Sequence, residues 1–238
     1  MAEPTKPLVV ITGASHGIGA ALAEAFGREG HPLLLTSRHM EAGTEGTVMR
    51  AALDVIDYAA LEAAIRAAEA RFGPVDCLVN NAGFIHIGPL AARDPADMAY
   101  EADVLFKGVL NGVHAVLGGM QARKRGTIIN ISSAGDRIPG PQGEVYHAAK
   151  AAVRSLAGSL QKGEAANNIR VMNIAPGLVK TNIHANMGMP FEEYYEMLGR
   201  PEFIEAAELA DIILYAYRLP QRICIRDLFV MPTSSSLG

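Results

Sequence analysis

Short apolar runs alternate with longer stretches of helical spacing along almost the whole chain. The runs at residues 8–12, 32–36, 48–53, 75–80, 127–132, 169–174 and 228–231 have the length and β-branched character of buried strands. Between them, residues 18–29, 57–72, 95–123, 144–163 and 205–218 carry apolar positions three and four apart, which predicts helices. Asp57 stands at the start of the second helix and Gly73-Pro74 closes it. Strands alternating with helices predict an α/β fold, a doubly wound parallel sheet with helices on both faces. Repeats, low-complexity tracts and linkers are missing, so residues 1–238 read as a single domain. The stretch 95–123 is apolar on more than one face, through Met98, Leu105, Val109, Val113, Val116, Leu117 and Met120, and Gly108 and Gly112 are spaced for close helix approach. A helix of that kind must be covered on several sides.

Composition narrows the picture by exclusion. Half of the residues are hydrophobic and the net charge is −4, so a sizeable core is available and nothing electrostatic favours nucleic acid or an anionic membrane. No apolar run approaches the ~18 residues of a membrane span. Cys77 and Cys224 lie in strand-like runs and read as buried free thiols. The seven histidines are scattered, and neither Cys-x-x-Cys nor His-Glu-x-x-His occurs, so no metal site is expected. Residues 1–7 are short and polar with no leader pattern, and a soluble cytoplasmic protein is expected.

The first turn is chemically specific. Thr12-Gly13-Ala14-Ser15-His16-Gly17-Ile18-Gly19 follows a strand and opens a helix. Glycines there let the backbone turn tightly and approach a pyrophosphate, while the helix N-terminus offers unpaired N–H groups and a positive dipole end. A dinucleotide phosphate loop fits this context. An acidic residue at the end of the second strand would bind the ribose hydroxyls of NAD, whereas a basic one accommodates the 2′-phosphate of NADP. The chain has Thr36-Ser37-Arg38-His39 at that point, and Arg38 has the fork geometry to hold a phosphate; a solvated arginine at a strand end is the alternative. Gly43, Gly46 and the threonines in the fifteen residues between Arg38 and Asp54 argue for a loop after Arg38.

Tyr146 and Lys150 are four apart on the helix at 144–163 and share a face. A tyrosine pKa near ~10 must fall by ~3 units, about 4 kcal/mol, for half-ionisation at neutral pH. A unit charge ~4 Å away at an effective dielectric of ~20 supplies about that much. The pair is therefore a candidate acid/base, although Tyr-x-x-x-Lys by itself is more often the pattern of a solvated helix face.

Taken together these motifs resemble the short-chain dehydrogenase/reductase family over nearly the whole chain. Gly13-x-x-x-Gly17-x-Gly19 has that family's spacing rather than the commoner Gly-x-Gly-x-x-Gly, and His16 sits where its NADP users often carry a basic residue. Asp54-Val55 resembles the family's adenine-contacting pair. Asn80-Asn81-Ala82-Gly83 resembles its Asn-Asn-Ala-Gly motif, which packs against the cofactor ribose. Ser133 lies thirteen residues before Tyr146, as the family's catalytic serine does. Pro176-Gly177-Leu178-Val179-Lys180-Thr181 resembles the turn that holds the nicotinamide carboxamide through Val179 and Thr181.

The resemblance implies NADP(H) as cofactor and a small-molecule carbonyl or alcohol as substrate, with Ser133, Tyr146 and Lys150 catalytic. Tyr146 would exchange a proton with the substrate oxygen, Ser133 would hold that oxygen, and Lys150 would bind the nicotinamide ribose and keep the tyrosine acidic. It also implies a homodimer or homotetramer built on the helix at 95–123 and the tyrosine helix.

One family position departs: Leu105 stands where the catalytic asparagine belongs, twenty-eight residues before Ser133. Asn111 lies about 240° further round the helix and does not replace it. Two readings stay open, a working reductase or dehydrogenase, and an NADP(H)-binding protein of low or no turnover serving as a sensor or oligomer partner.

Three segments are expected to frame the substrate: 84–95, 134–144 and the excursion 182–203. The last carries Met187, Met189, Phe191, Tyr194, Tyr195 and Met197, an apolar lid or a small packed helix. Arg137, His184 and Arg200 are candidate carboxylate anchors, or solvated surface residues. The ending Arg226-Asp227-Leu228-Phe229-Val230-Met231-Pro232-Thr233 lacks the family's common Asp-Gly-Gly and points weakly to short polar hydroxy acids.

Overall fold

A computed structural model of the chain describes residues 6–181, 183 and 187–235. Along the first strand, β1 (Leu8–Thr12), successive side chains point to opposite faces, and both faces are apolar. Leu8 and Val10 enter one core, and Val9 and Ile11 enter the other. A strand buried on both sides must be central, and the rest of the chain is built outward from it. Next come α1 (Gly17–Arg28), β2 (Leu33–Ser37), β3 (Gly43–Glu45), β4 (Val48–Ala52), α2 (Tyr58–Phe72) and β5 (Val75–Asn80). α3 (Pro95–Ala102) runs through a π-helical stretch, Asp103–Lys107, into α4 (Gly108–Arg123). There follow β6 (Gly126–Ile131), α5 (Glu144–Gly163), β7 (Ile169–Pro176), β8 (Val179–Lys180), α6 (Phe191–Met197), β9 (Ile204–Glu205), α7 (Ala206–Arg218) and β10 (Asp227–Val230).

The main sheet has the order β10-β7-β6-β5-β1-β2-β4-β3. It is a doubly wound, Rossmann-like α/β domain: α1 and α7 cover the face of Val9 and Ile11, and α2, α4 and α5 the face of Val10. The order reverses at β1, between β5 and β2, which opens a crevice at the carboxyl ends of the strands. No helix among the described residues is long and apolar enough to cross a membrane.

The structure corrects three expectations. The stretch after Arg38 is not only loop: Gly43–Glu45 pairs antiparallel with β4. Gly46, at φ +56°, makes the tight two-residue turn between Glu45 and Val48 that a hairpin needs. The sheet is consequently parallel except at this one edge. The helix expected over 95–123 is continuous but not uniformly α-helical, because the Gly108 N–H bonds back to the Asp103 carbonyl across the π stretch. Gly108 and Gly112 do not serve a neighbouring helix. A Cβ on Gly108 would fall 2.5 Å from Val55 Cγ2, and one on Gly112 would fall 2.4 Å from Asn80 Oδ1. They seat α4 against the chain just past β4 and against the end of β5.

Candidate active site

The crevice forms a cavity of about 970 Å³, walled by the turns that follow β1, β2, β4, β5, β6 and β7. At its floor the first turn is laced to the β5 turn. Thr12 Oγ1 accepts from the N–H groups of Asn81 (3.0 Å) and Ala82 (3.1 Å), and Asn81 Nδ2 donates to the carbonyls of Thr12 and Gly13, both at 3.0 Å. The fit requires glycine at Gly13, which has φ +66° and whose Cβ would lie 2.6 Å from Ala82 Cα. Gly17 also has positive φ, and a Cβ there would touch Thr181 at 3.0 Å, so the first and last cofactor-type motifs meet. His16 is the N-cap of α1 but makes no side-chain capping bond, which leaves the opening N–H groups of that helix to the cavity.

Of the residues expected to bind cofactor, Gly13, Ser15, His16, Gly17, Ile18, Arg38, Asp54, Val55, Ala82 and Gly83 line this cavity, with Pro176, Gly177, Val179 and Thr181 on its far side. Gly19 and Asn80 do not. Gly19 lies beneath the turn, where a Cβ would be 2.3 Å from the Gly13 carbonyl oxygen. Asn80 is buried and donates through Nδ2 to Asn130 Oδ1 at 2.9 Å, a tie between β5 and β6. Asn81 takes the bracing role instead, and its place in the same motif was the available signal.

These residues fit a dinucleotide. The cavity offers a glycine cradle, an uncapped helix N-terminus and, at one end, the exposed guanidinium of Arg38. Beside it, the buried Ser37 hydroxyl has no hydrogen-bond partner among the described residues.

Ser133, Tyr146 and Lys150 line the same cavity together. The buried face of α5 carries Tyr146, Ala149, Lys150 and Val153 inward, as its spacing predicts. Ser133 Oγ accepts from the Gly135 N–H at 3.1 Å, which opens the turn after β6, and its hydrogen bond to Tyr146 favours the phenolate. Asp136 braces that turn by accepting from Ser132 Oγ (2.8 Å) and Asn173 Nδ2 (3.1 Å).

The electrostatic expectation for the pair is corrected. Burial pushes Tyr146 up to about 12, and Lys150 does not offset it. The Lys150 ammonium donates instead to the Ile131 carbonyl at 2.7 Å, lies 5.5 Å from the tyrosine ring centroid, and is itself brought down to about 8 by burial. Burial thus favours the protonated phenol at Tyr146.

Leu105 is fully buried and packs with Tyr146 and Ala149. It sits beside the pair, since a Cβ on Gly83 would be 2.8 Å from Leu105 Cδ2 and 3.9 Å from Lys150 Nζ. Asn111 points elsewhere and donates to the carbonyls of Val55 (2.9 Å) and Ile56 (3.2 Å).

Two of the three candidate carboxylate anchors are engaged away from the cavity. Arg137 pairs with Asp136 at 2.7 Å and Asp227 at 2.9 Å, and Arg200 is held by Glu192 and Glu196 on the exposed side of α6. His184 lies outside the described residues. The substrate end is walled by Ile85, Ile87, Ile138, Tyr194 and Leu198, with His147, whose pKa burial lowers.

Comparison with known proteins places the family and the fold. A family model described as short chain dehydrogenase matches residues 7–189. The chain is 33% identical to sulfoacetaldehyde reductase 2 of Chromohalobacter salexigens, over 95% of this chain and 94% of that protein. It is 32% identical to glycine betaine reductase ATRR of Emericella nidulans over 96% of its length, which spans only 19% of that relative. Among solved structures, the closed form of serine dehydrogenase complexed with NADP+ matches with a TM-score of 0.88 and 29% identity, over 96% of each chain.

Proposed function

Because this chain belongs to the short chain dehydrogenase family, we propose that it is an NADP-dependent oxidoreductase interconverting a ketone or aldehyde and the corresponding alcohol. The observation that carries the reading is the meeting of Ser133, Tyr146 and Lys150 with the glycine cradle in one cavity. Arg38 supports NADP over NAD: it lines the same cavity, and no carboxylate among the described residues forms an ion pair with it. The NADP+ bound by the serine dehydrogenase relative points the same way.

When bound, the nicotinamide supplies or accepts the hydride. This chain's residues handle the oxygen. Ser133 donates a hydrogen bond to the carbonyl oxygen and holds it against Tyr146. As hydride reaches the carbonyl carbon, the Tyr146 O–H proton passes to the oxygen and completes the alcohol. Burial suits this step, because it keeps the phenol in the protonated form that reduction consumes. The phenolate left behind is the disfavoured form in this buried place and regains its proton from solvent.

For the substrate we propose an uncharged carbonyl compound rather than the short hydroxy acid suggested by the chain's ending. The support is the apolar wall at the substrate end and the pairing of Arg137 and Arg200 elsewhere. For assembly we propose a homodimer or homotetramer. An apolar furrow lined by Met98, Phe106, Val145, Ala148 and Ala152 runs between α3 and α5 and supports it.

A second reading, cofactor binding with little turnover, is favoured by Leu105, whose buried side chain can neither donate nor accept a hydrogen bond beside Lys150. One experiment separates the two: NADPH oxidation against neutral ketones, aldehydes and 3-keto acids, with NADPH affinity measured in parallel by fluorescence. We expect turnover of neutral carbonyls, a loss of roughly 10²–10⁴-fold in kcat for Tyr146→Phe with affinity retained, and a change in rate rather than affinity for Leu105→Asn. NADPH binding without Tyr146-dependent turnover of any carbonyl would establish the second reading.

A further inference from the structure

We propose that Tyr100 is a positioning residue for cofactor selectivity, which holds the Arg38 guanidinium ready for a ribose 2′-phosphate. The proposal rests on the assignment of Arg38 to that phosphate. Three parts of the fold meet at this hydroxyl. Arg38, just past β2, donates from Nη1 to Tyr100 Oη at 2.7 Å. Tyr100, on α3, donates in turn to Asp54 Oδ2 at 2.6 Å, and Asp54, just past β4, is steadied by the Ile56 N–H on its other oxygen at 3.2 Å. The guanidinium carbon also lies 5.8 Å from the centroid of the Tyr100 ring.

The chemistry needs a phenol at this point. A hydroxyl accepts from a cation and donates to a carboxylate at the same time, which neither phenylalanine nor a second acid can do. Were Asp54 to bind Arg38 directly, the guanidinium fork would close on the carboxylate and its charge would be spent. With the hydroxyl between them, Arg38 is oriented beside the cavity that it lines, and its remaining N–H groups are not spent on a carboxylate. An exposed arginine otherwise explores many rotamers, and ordering it before the phosphate arrives lowers the entropic cost of binding.

Tyr100 is itself firmly placed. Its ring lies against Phe84, with centroids 5.9 Å apart. The next residue, Glu101, is fully buried, paired with Arg93 at 2.5 Å and accepting the His86 N–H at 3.2 Å. Glu101 thus ties the end of α3 to the segment that leads into it, and the Phe84 ring steadies the phenol that carries the hydroxyl.

The test uses nucleotides that differ only in the phosphate: 2′,5′-ADP and 5′-AMP, titrated calorimetrically into wild type, Tyr100→Phe, Arg38→Ala and the double variant. We expect Tyr100→Phe to weaken 2′,5′-ADP by roughly three- to tenfold, the worth of a hydrogen bond, and to leave 5′-AMP unchanged. Arg38→Ala should weaken 2′,5′-ADP further, and the double variant should bind no worse than Arg38→Ala, since Tyr100 acts through the arginine. Retained 5′-AMP binding doubles as the check on folding. If Arg38→Ala discriminates between the nucleotides but Tyr100→Phe shifts both equally or neither, the positioning role is overturned and the phosphate assignment survives. If Arg38→Ala treats both nucleotides alike, the phosphate assignment itself fails and the inference goes with it.

Discussion

Lys150 is 5% exposed and, among the described residues, its ammonium donates to a single acceptor, the Ile131 carbonyl, in place of a shell of water. Burial brings its pKa down to about 8 from the ordinary 10.5. Below pH 8 the folded and unfolded chains both hold the proton, and the cost of burying the charge is present in full. Between 8 and 10.5 only the unfolded chain holds it, so native stability rises with pH across that window. We therefore expect Lys150→Met to stabilise the protein at neutral pH, by up to ~3 kcal/mol. The advantage should shrink as pH climbs from 8 toward 10.5. Urea unfolding at two pH values tests this, and a variant no more stable at pH 7 would show that the charge is fully compensated.

α4 shows how one substitution can change sign within a single helix. Gly112 faces inward, and an alanine methyl there would meet Asn80 Oδ1 at 2.4 Å, pushing the helix from β5 and disturbing the Asn80–Asn130 tie. Gly118, later in α4, is exposed with nothing within 4 Å of its would-be Cβ. Gly112→Ala should cost ~1–3 kcal/mol through overpacking, whereas Gly118→Ala should gain ~0.5–1 kcal/mol from reduced backbone freedom in the unfolded chain. Denaturant midpoints of the two variants check both signs. Just before α4, the π stretch places Leu105 against Tyr146, so the helix's irregularity lies at the candidate site.

At the scale of the whole molecule, the cavity and the apolar furrow share α5. The helix presents Tyr146 and Lys150 to one and Val145, Ala148 and Ala152 to the other. A partner seated in the furrow would press on the helix that carries the acid. We expect a dimer or tetramer by light scattering at micromolar concentration, reduced to smaller species by Ala152→Glu, which puts a charge on the furrow. A wild-type monomer at that concentration would rule the assembly out.

Local and periodic features were legible in the sequence because they depend on neighbours along the chain. The strand runs, the Asp57 cap, the inward face of α5 and the glycine turn before α1 all follow from side-chain spacing, capping and backbone freedom, and each is where it was expected. The motif order was equally legible, since Ser133, Tyr146 and Lys150 had only to be carried by a parallel sheet to reach one crevice.

What the sequence could not contain was the energy of meeting across long separations. Burial favours the protonated phenol at Tyr146 and packing sets the Lys150 ammonium on a backbone carbonyl, and no helical spacing reports either. Packing turned Asn80 into a tie between strands and put Asn81 under the first turn. Charge pairing drew Arg137 to Asp136 and Asp227, away from the cavity. The Arg38–Tyr100–Asp54 relay joins residues 62 and 46 positions apart, and only the closed fold brings them within hydrogen-bond reach.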